Sequence, residues 1–243
     1  MITRIYHVVA RLLRLTPKTT KIRVGDMSAT FFVPISNHYV CDDLTDLSAQ
    51  KREPKLYEWL NNLPAGSVYF DIGTSYGQEC CLASSRKDIQ VFGFDCSLYQ
   101  SHFCSLNRAL NHNRFTFTFA AISDVSGQVI TIESNSDTHI PKLHKKNVPY
   151  EYQVTTLSLD DFSKSNNVIP THIKIDVDGA EDAVLRGASN ILASGIVQDV
   201  FIEVDRSKMD LVDHMLSLGF EIKWQLEKDM NFDILFSRSS DRT

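Results

Sequence analysis

The sequence predicts an α/β fold in which a mostly parallel β-sheet carries helices on both faces. Short apolar runs of strand length alternate with segments whose apolar residues recur at helical spacing, from Val68 almost to the C-terminus. Such alternation is typical of parallel sheets, because each crossover helix packs back onto a face of the sheet. The last two predicted strands, 220–224 and 232–236, are joined by a short polar turn and are expected to form an antiparallel pair at the sheet edge.

The length and composition indicate one sizeable core and argue against a protein that coats nucleic acid. The chain has 243 residues, of which 43% are hydrophobic and 23% charged, and its formal net charge is -5. Proteins that coat nucleic acid carry surplus Lys and Arg to neutralise phosphates, so no nucleic-acid partner is expected. The five cysteines are odd in number and form no C-x-x-C pair, which is typical of reduced thiols in a cytoplasmic protein.

An N-terminal region, residues 1–62, is expected to precede a main domain of residues 63–243. The region is predicted to begin with an amphipathic helix. Two short β-prone runs around the Gly25-Asp26 turn then predict an antiparallel hairpin. Residues 54–60 predict a short helix that leads into the first strand of the main domain.

The predicted N-terminal helix is basic as well as amphipathic. The first 25 residues contain Arg and Lys but no Asp or Glu, and apolar residues recur at helical spacing between Ile2 and Leu12. Arg11 and Arg14 interrupt the apolar run, so it is too short for a membrane span or a signal peptide. Residues 1–15 fit a peripheral anchor on anionic lipid at the inner face of the membrane. They also fit a helix packed on the domain or on a second subunit of a homo-oligomer, which is the more common use of one apolar stripe.

The main domain contains the alternating strands and helices. The predicted strands lie at 68–70, 91–94, 115–119, 128–132, 173–175 and 200–204. The predicted helices lie near 78–86, 103–110, 184–192 and 211–216. A hairpin is predicted at Ser126-Gly127, and the polar segment 133–151 is the longest predicted loop.

The first two strands of the main domain end in acids that predict a nucleoside-binding site. The first strand leads through Asp71 into a turn with Gly73 and Gly77, and the second ends in Asp95. Ligands of open parallel sheets bind beyond the carboxyl ends of the strands, so these residues are expected to converge. The glycines leave room for the backbone to approach a ligand, and the Asp95 carboxylate can accept hydrogen bonds from both hydroxyls of a ribose.

The D-x-G-x-x-x-G pattern favours S-adenosylmethionine over a dinucleotide. A dinucleotide site has the pattern G-x-G-x-x-G and places a pyrophosphate at a helix N-terminus. Here Asp71 precedes the first glycine, where a carboxylate repels a pyrophosphate but pairs with the ammonium of S-adenosylmethionine. The plainer alternative is a tight turn in which Asp71 and Asp95 only cap helices. The occurrence of both acids at the ends of apolar strands favours the ligand site.

Further motifs follow in a distinctive order. The most specific block is Ile173-Lys174-Ile175-Asp176-Val177-Asp178-Gly179-Ala180-Glu181. The other motifs are Phe70 to Gly77, Phe94-Asp95, Ala121-Ile122-Ser123-Asp124, Thr155 to Asp161, Leu185-Arg186-Gly187-Ala188 and Ile202-Glu203-Val204. Over roughly residues 68–204 the chain resembles FkbM-type S-adenosylmethionine-dependent methyltransferases. It departs from the usual family pattern at Asp95-Cys96, where members carry E-P, and at Asp178, where they carry Glu; neither change removes a charge.

The resemblance implies a class I methyltransferase fold, which is Rossmann-like and has a seven-stranded, mostly parallel sheet with an antiparallel edge strand. It implies an enzyme that O-methylates a sugar, a glycan precursor or another small metabolite. The cofactor would be held by Asp71, Gly73, Thr74 and Gly77 at its amino acid part, by Asp95 at the ribose, and by Ala121 and Ile122 at the adenine. Two alternatives are a non-catalytic scaffold that keeps the fold and, less favoured by the glycine spacing, an oxidoreductase that binds a nicotinamide dinucleotide.

Acids near the ends of the later strands are the candidates for catalysis. A hydroxyl acceptor must lose its proton, and a nearby carboxylate can take it. Asp176 is the first candidate, followed by Glu203 and then Asp178. Asp176 and Asp178 also offer the oxygen ligands that Mg²⁺ or Ca²⁺ prefers, but a divalent metal is not favoured.

The predicted loop 133–151 contains a local positive cluster in an acidic protein. The cluster includes His139, Lys142 and His144. As a lid, the loop could bind an anionic acceptor such as a phosphorylated or nucleotide-linked sugar. The alternative, a solvated loop without a ligand, is slightly favoured.

Overall fold

The computed structural model describes residues 18–33, 38–134 and 150–238. Its strands are β1 (Thr19–Val24), β2 (Met27–Phe32), β3 (Val68–Ile72), β4 (Gln90–Asp95), β5 (Thr116–Phe119), β6 (Ala121–Ile122), β7 (Val129–Ser134), β8 (Tyr150–Leu157), β9 (His172–Ile175), β10 (Asp199–Asp205), β11 (Phe220–Glu227) and β12 (Asn231–Arg238). Its α-helices are α1 (His38–Ser48), α2 (Pro54–Asn61), α3 (Gln78–Ala83), α4 (Leu98–Leu110), α5 (Leu159–Asn166), α6 (Glu181–Arg186), α7 (Ser189–Ala193) and α8 (Asp210–Ser217), and a 3₁₀-helix covers Arg206–Lys208.

A seven-stranded sheet forms the centre of the fold, as the sequence predicts. Its strand order is β11-β12-β10-β9-β3-β4-β5. The pairs β10–β9, β9–β3, β3–β4 and β4–β5 are parallel, and β12 runs antiparallel to both of its neighbours. One buried cluster on each face of the sheet packs against the covering helices. The mostly parallel α/β class is therefore confirmed.

The last two strands form the predicted antiparallel pair at the edge of the sheet. Strand β12 lies between β10 and β11, and β11 is the outermost strand. Burial explains why β12 is the inner strand of this pair. Residues Ile234, Leu235 and Phe236 of β12 are almost completely buried, whereas most of β11 is exposed. A strand that is apolar on both faces needs cover on both faces, which an interior position provides more fully than the edge.

The hairpin predicted at Ser126-Gly127 is not formed. Strand β7 pairs antiparallel with β8, and β6 pairs parallel with β8, so these strands make a separate small sheet. The amide of Gly127 donates to the carbonyl of Thr156 at 2.9 Å, and the amide of Gln128 donates to the Thr156 hydroxyl at 3.0 Å. The donors of the turn are therefore satisfied by β8, whose pairing the local turn pattern did not reveal.

The single helix predicted near 184–192 is divided into α6 and α7 around Gly187. A side chain at Gly187 would overlap the carbonyl group of Ser123. The Gly187 carbonyl accepts the amide of Asp160 at 2.9 Å, and the Asp160 carboxylate accepts the amides of Asn190 and Ile191. The start of α5 thus satisfies backbone groups at the break between the two helices.

The predicted N-terminal hairpin is formed by β1 and β2, which pair antiparallel across Gly25. The edge of β2 packs on α4, where the side-chain oxygens of Asn107 and Asn111 accept the amides of Phe32 and Thr30 at 2.8 and 2.9 Å. These contacts satisfy donors that an unpaired strand edge would leave open. The hairpin is therefore fixed to the helix that follows β4.

Two sequence predictions concern residues outside the described part of the chain. These are the amphipathic helix of residues 1–15 and most of the long loop, including His139, Lys142 and His144. Among the described helices, none has both the length and the apolar character that a membrane span requires. The described cysteines, which include every cysteine of the sequence, are free thiols.

Gly73 is required by packing between strands as well as by its backbone angle. Its φ is 81°, in the left-handed region, and a Cβ atom there would overlap the carbonyl oxygen of Asp176. The turn after β3 therefore lies directly against the chain after β9. In the described structure the contact that excludes a side chain at Gly73 is made by the protein itself, and the room that it leaves for a ligand stays a prediction.

Replacing Gly73 by Ala should destabilise the fold strongly. The left-handed backbone costs an L-residue about 1–2 kcal/mol, and the overlap with Asp176 adds about 1–3 kcal/mol of overpacking. The matched control is Gly66→Ala, because Gly66 has a similar φ of 82° but no atom within 4 Å of a built Cβ. Urea unfolding of both variants measures the difference. Equal losses in the two variants would show that the close approach to Asp176 contributes nothing.

Candidate functional site

The turn after β3 and the end of β4 are joined by a compact set of hydrogen bonds. The amides of Gly73 and Thr74 both donate to the carbonyl of Phe94, at 2.9 and 3.0 Å. The amide of Ser75 donates to the Asp95 carboxylate at 2.8 Å. The predicted convergence of the glycine turn with Asp95 is thus present in the structure.

Asp71 is enclosed by protein. One carboxylate oxygen accepts the Thr74 hydroxyl at 2.8 Å and the Cys80 thiol at 3.3 Å. The other lies 3.5 Å from the ammonium of Lys174. Asp71 has no exposed surface, so its contacts in this structure fix the turn and pair a buried cation. The charge that pairs with Asp71 in this arrangement comes from Lys174, and its contact with a cofactor ammonium stays a prediction.

Asp95, the predicted ribose contact, ends β4 and is held by two backbone amides. Its two oxygens accept the amides of Ser75 and Ser97 at 2.8 and 2.6 Å, and 8% of the residue is exposed. Burial raises the pKa of Asp95 to about 6, against the opposing effect of the two amide hydrogen bonds. Each carboxylate oxygen offers two lone pairs, so both oxygens can still accept a hydroxyl donor.

The predicted adenine-contacting residues lie next to Asp95. The amide of Ala120 donates to the Asp95 carbonyl at 3.1 Å, which places β6, with Ala121 and Ile122, directly after this contact. Tyr152 of β8 reaches the same region, where its hydroxyl donates to the Cys96 carbonyl at 2.9 Å and accepts the amide of Leu98. Tyr152 was not among the predicted site residues, because no sequence pattern indicated that β8 lies beside this edge.

Lys174 is a buried cation between two acids and was also missed as a site residue. Its ammonium lies 3.1 Å from Asp176 and 3.5 Å from Asp71, and its side chain is almost fully buried. Burial opposes the charged form, but Asp176 and Asp71 outweigh it and raise the pKa of Lys174 well above its usual range. The signal in the sequence was a lysine between two isoleucines of a short strand, since a fully buried lysine is almost always paired.

A second ionic group, the carboxyl-edge cluster, comprises Glu53, Asp176, Glu203, Lys228 and Asp233. The strand register brings three of its members together. Glu203 of β10 pairs with Asp233 of β12, and Ile202 of β10 pairs with Ile175 of β9, so Glu203 and Asp176 follow two paired residues. The Lys228 ammonium lies 2.7 Å from Asp233, 3.1 Å from Glu203 and 3.2 Å from Glu53. The structure thus brings together two of the predicted catalytic acids, Asp176 and Glu203.

These two acids differ in protonation. Burial and the charge of Asp176 raise the pKa of Glu203 to about 7. Burial also acts to raise the pKa of Asp176, but Lys174 outweighs it, so the pKa is lowered. The side chains of Asp176 and Glu203 are 30% and 22% exposed, whereas that of Asp233 is 3% exposed. A ligand at this edge can therefore touch one ionised acid and one acid that titrates near neutrality.

Asp178, the third predicted catalytic acid, lies in the loop between β9 and α6. Its φ is 50°, in the left-handed region. The next residue, Gly179, donates its amide to Glu181 at 2.8 Å and its carbonyl accepts the ammonium of Lys208. Within residues 18–33, 38–134 and 150–238, no group of His, Cys, Asp and Glu side chains is arranged to hold a metal ion.

Comparison with known proteins identifies a family and a fold. The family model described as Methyltransferase FkbM domain matches residues 71–230. The crystal structure of Methyltransferase FkbM from Methylobacillus flagellatus KT is 15% identical, with a TM-score of 0.55 over 85% of this chain and 56% of that chain. Sp1610 from Streptococcus pneumoniae, described as a candidate tRNA (m1A22) methyltransferase, is 12% identical, with a TM-score of 0.50 over 78% of this chain and 71% of that chain.

Because the identities are this low, the two structures establish the class I methyltransferase fold for this chain but do not indicate its substrate. The chain spans little more than half the length of the FkbM structure. No curated protein sequence matches the chain.

Replacing Lys174 by Met should cost about 3–5 kcal/mol of stability, because Asp71 would be left buried without its counter-ion. Adding Asp71→Asn to that variant should restore part of the loss. Lys164→Met, at an exposed position of α5, is the matched control and should leave stability nearly unchanged. Urea unfolding at pH 7 measures all three proteins. A Lys174→Met protein as stable as the wild type would show that the buried pair does not stabilise the fold.

Proposed function

Since this chain belongs to the FkbM methyltransferase family, we propose that it transfers a methyl group from S-adenosylmethionine to a hydroxyl of a sugar, a glycan precursor or another small metabolite. The observation that supports this best is the arrangement of acids at one edge of the sheet. Asp95 lies at the end of β4, and Asp176 and Glu203 lie at the ends of β9 and β10. Cofactor binding and proton removal would thus take place side by side.

The residues around Asp95 fit the nucleoside part of the cofactor. The Asp95 carboxylate, held by the amides of Ser75 and Ser97, keeps acceptor capacity for two ribose hydroxyls. Ala121 and Ile122 would line the adenine, and the Gly73 to Gly77 turn would border the amino acid part. Asp71 acts indirectly in this proposal, because it holds Thr74 and Lys174 in place.

The acceptor hydroxyl would give its proton to Glu203. When bound, the cofactor supplies a methyl group on a sulfonium, and the bond from carbon to oxygen forms as the bond from carbon to sulfur breaks. A base works best when its pKa lies near the working pH, and pairs of acids with separated pKa values commonly divide their roles. The pKa of Glu203 is about 7, so it is the better proton acceptor. Asp176, whose pKa is lowered, would remain an anion facing the positive sulfonium.

Titration calorimetry with S-adenosylhomocysteine and with NAD⁺ tests the cofactor. Binding of S-adenosylhomocysteine alone is expected, and binding of NAD⁺ alone would overturn the proposal in favour of an oxidoreductase. Transfer of labelled methyl from S-adenosylmethionine to a small-molecule extract, followed by identification of the product, then tests the reaction. Cofactor binding without transfer to any acceptor pool would favour a non-catalytic scaffold.

Asp95→Asn should weaken the binding of S-adenosylhomocysteine and remove part of its pH dependence. Loss of charge-assisted hydrogen bonds costs about 1.5–3 kcal/mol. In the wild type, lowering the pH through about 6 protonates Asp95, so affinity should fall below that pH and be regained above it. Calorimetry between pH 5 and 8 measures this, with Asp213→Asn on the exposed face of α8 as the control. An unchanged pH profile in Asp95→Asn would remove Asp95 from the site.

Glu203→Gln should lower the rate of methyl transfer by roughly 10²–10⁴-fold, the usual contribution of a general base. Affinity for S-adenosylhomocysteine should stay close to that of the wild type, because Glu203 is assigned to the acceptor. The measurement is label transfer to the acceptor identified above, and Glu221→Gln at an exposed position of β11 is the control. A rate equal to that of the wild type would exclude Glu203 as the base.

A further inference from the structure

We propose that Lys228 is a positioning residue that orients the Glu203 carboxylate for proton transfer and joins it to the segment before α2. The proposal rests on the role of Glu203 in the proposed function. Lys228 lies in the turn between β11 and β12, outside the FkbM-like motifs of the sequence. It is separated from Glu53 by 175 positions along the chain.

Arg206 fixes the turn that carries Lys228. Its guanidinium donates to the carbonyls of Lys228 and Asp229 at 2.9 and 3.2 Å, and to the Glu227 carboxylate at 2.5 Å. The same guanidinium lies over the ring of Phe232, 4.9 Å from its centroid. The Lys228 amide also donates to the Asn231 carbonyl at 2.9 Å. These contacts fix the backbone of the turn and therefore the position from which the Lys228 side chain extends.

Glu203 is held at both of its carboxylate oxygens. Lys228 donates to one oxygen at 3.1 Å, and the side-chain amide of Asn231 donates to the other. Two donors on opposite oxygens fix the plane of a carboxylate, while each oxygen keeps a lone pair for an acceptor hydroxyl. Both donors come from the β11–β12 turn or the residue that ends it. The turn is thus the part of the chain that sets the orientation of Glu203.

Lys228 is also the cation that opposes the acids around Glu203. The charges of Asp176, at the end of β9, and of Asp233, on β12, act on Glu203, and Glu53 pairs with the same Lys228 ammonium. Burial and the charge of Asp176 raise the pKa of Glu203, and Lys228 lowers it, with about 7 as the result. Without Lys228, burial and the charge of Asp176 would be opposed by the Asn231 hydrogen bond but by no paired cation, so the pKa should rise and the carboxyl should be protonated at neutral pH.

The contact between Lys228 and Glu53 extends the carboxyl-edge cluster to the start of α2. Glu53 has a left-handed backbone, with φ 41° and ψ 55°, and directly precedes Pro54. Its carboxylate lies 3.2 Å from the Lys228 ammonium. One ammonium therefore connects three elements: the strand that carries Glu203, the neighbouring strand β12, and the chain entering α2.

The test is a titration of the Glu203 carboxyl that requires no acceptor. The carboxyl carbon of glutamate is followed by ¹³C NMR in the full chain, and Glu203→Gln identifies the Glu203 signal. Loss of one charge-assisted hydrogen bond should raise the midpoint of that signal by about 1–2 pH units in Lys228→Met. Lys228→Arg should keep the midpoint close to the wild-type value. Lys223→Met, an exposed position of the same strand pair, is the matched control and should not shift it.

Calorimetry with S-adenosylhomocysteine on each variant separates this inference from the proposed function. If the wild-type protein binds no S-adenosylhomocysteine, the proposed function is wrong, regardless of the Glu203 midpoint. Intact cofactor binding with the same Glu203 midpoint in wild type and Lys228→Met would overturn the role of Lys228. If Lys228→Met does not fold, the Glu203 midpoint is measured in Lys228→Gln instead. That variant keeps a hydrogen-bond donor but no charge, and an unchanged midpoint in it would likewise overturn the role of Lys228. A midpoint shift of equal size in Lys223→Met would also overturn the proposal.

Discussion

The buried ion pair of Lys174 with Asp71 and Asp176 is the interaction on which the rest of the site depends. Burying charges is costly, and the cost is offset only when each charge finds a close partner. Here the partners come from adjacent strands, since Asp71 of β3 is aligned with Lys174 of β9. The pair sits where Gly73 allows the turn after β3 to approach the backbone of Asp176. Packing and charge therefore hold the proposed cofactor side and the proposed acceptor side of the sheet edge at a fixed separation.

Lys174 also links the protonation states of the acids at this edge of the sheet. Lys174 keeps Asp176 ionised, and the charge of Asp176 in turn raises the pKa of Glu203 toward neutrality. Lys174 also acts on Glu79 of α3, where it opposes the effect of burial on the carboxyl pKa. Glu79 accepts the Tyr57 hydroxyl of α2 at 2.5 Å. A single buried cation thus influences acids on the helix after β3 and on the strands that carry the catalytic candidates.

Local patterns were enough to predict the parts of the site that depend on strand ends. Asp95 and the Gly73 turn were expected to converge because parallel strands finish at one edge, and they do. The contacts that the sequence did not reveal are long-range. Lys228 meets Glu53 across most of the chain, a contact that no local pattern encodes. The hairpin expected at Ser126-Gly127 failed for the same reason, because its hydrogen-bond donors find Thr156 of β8.

The balance of charge at the edge bears on which ligands it can accept. The five carboxylates of Asp71, Asp176, Glu203, Glu53 and Asp233 form ion pairs with two ammoniums, those of Lys174 and Lys228, and the charge of Arg52 also acts on Asp176 and Glu53. An excess of buried acid favours a ligand that brings positive charge, as S-adenosylmethionine does with its ammonium and sulfonium. The same excess opposes an anionic acceptor, since like charges at short range in a partly buried site repel strongly. A phosphorylated acceptor would therefore depend on cations supplied from elsewhere in the chain, such as the predicted cluster that includes His139, Lys142 and His144. A neutral polyol needs no such help, so the charge of the edge favours an uncharged hydroxyl acceptor.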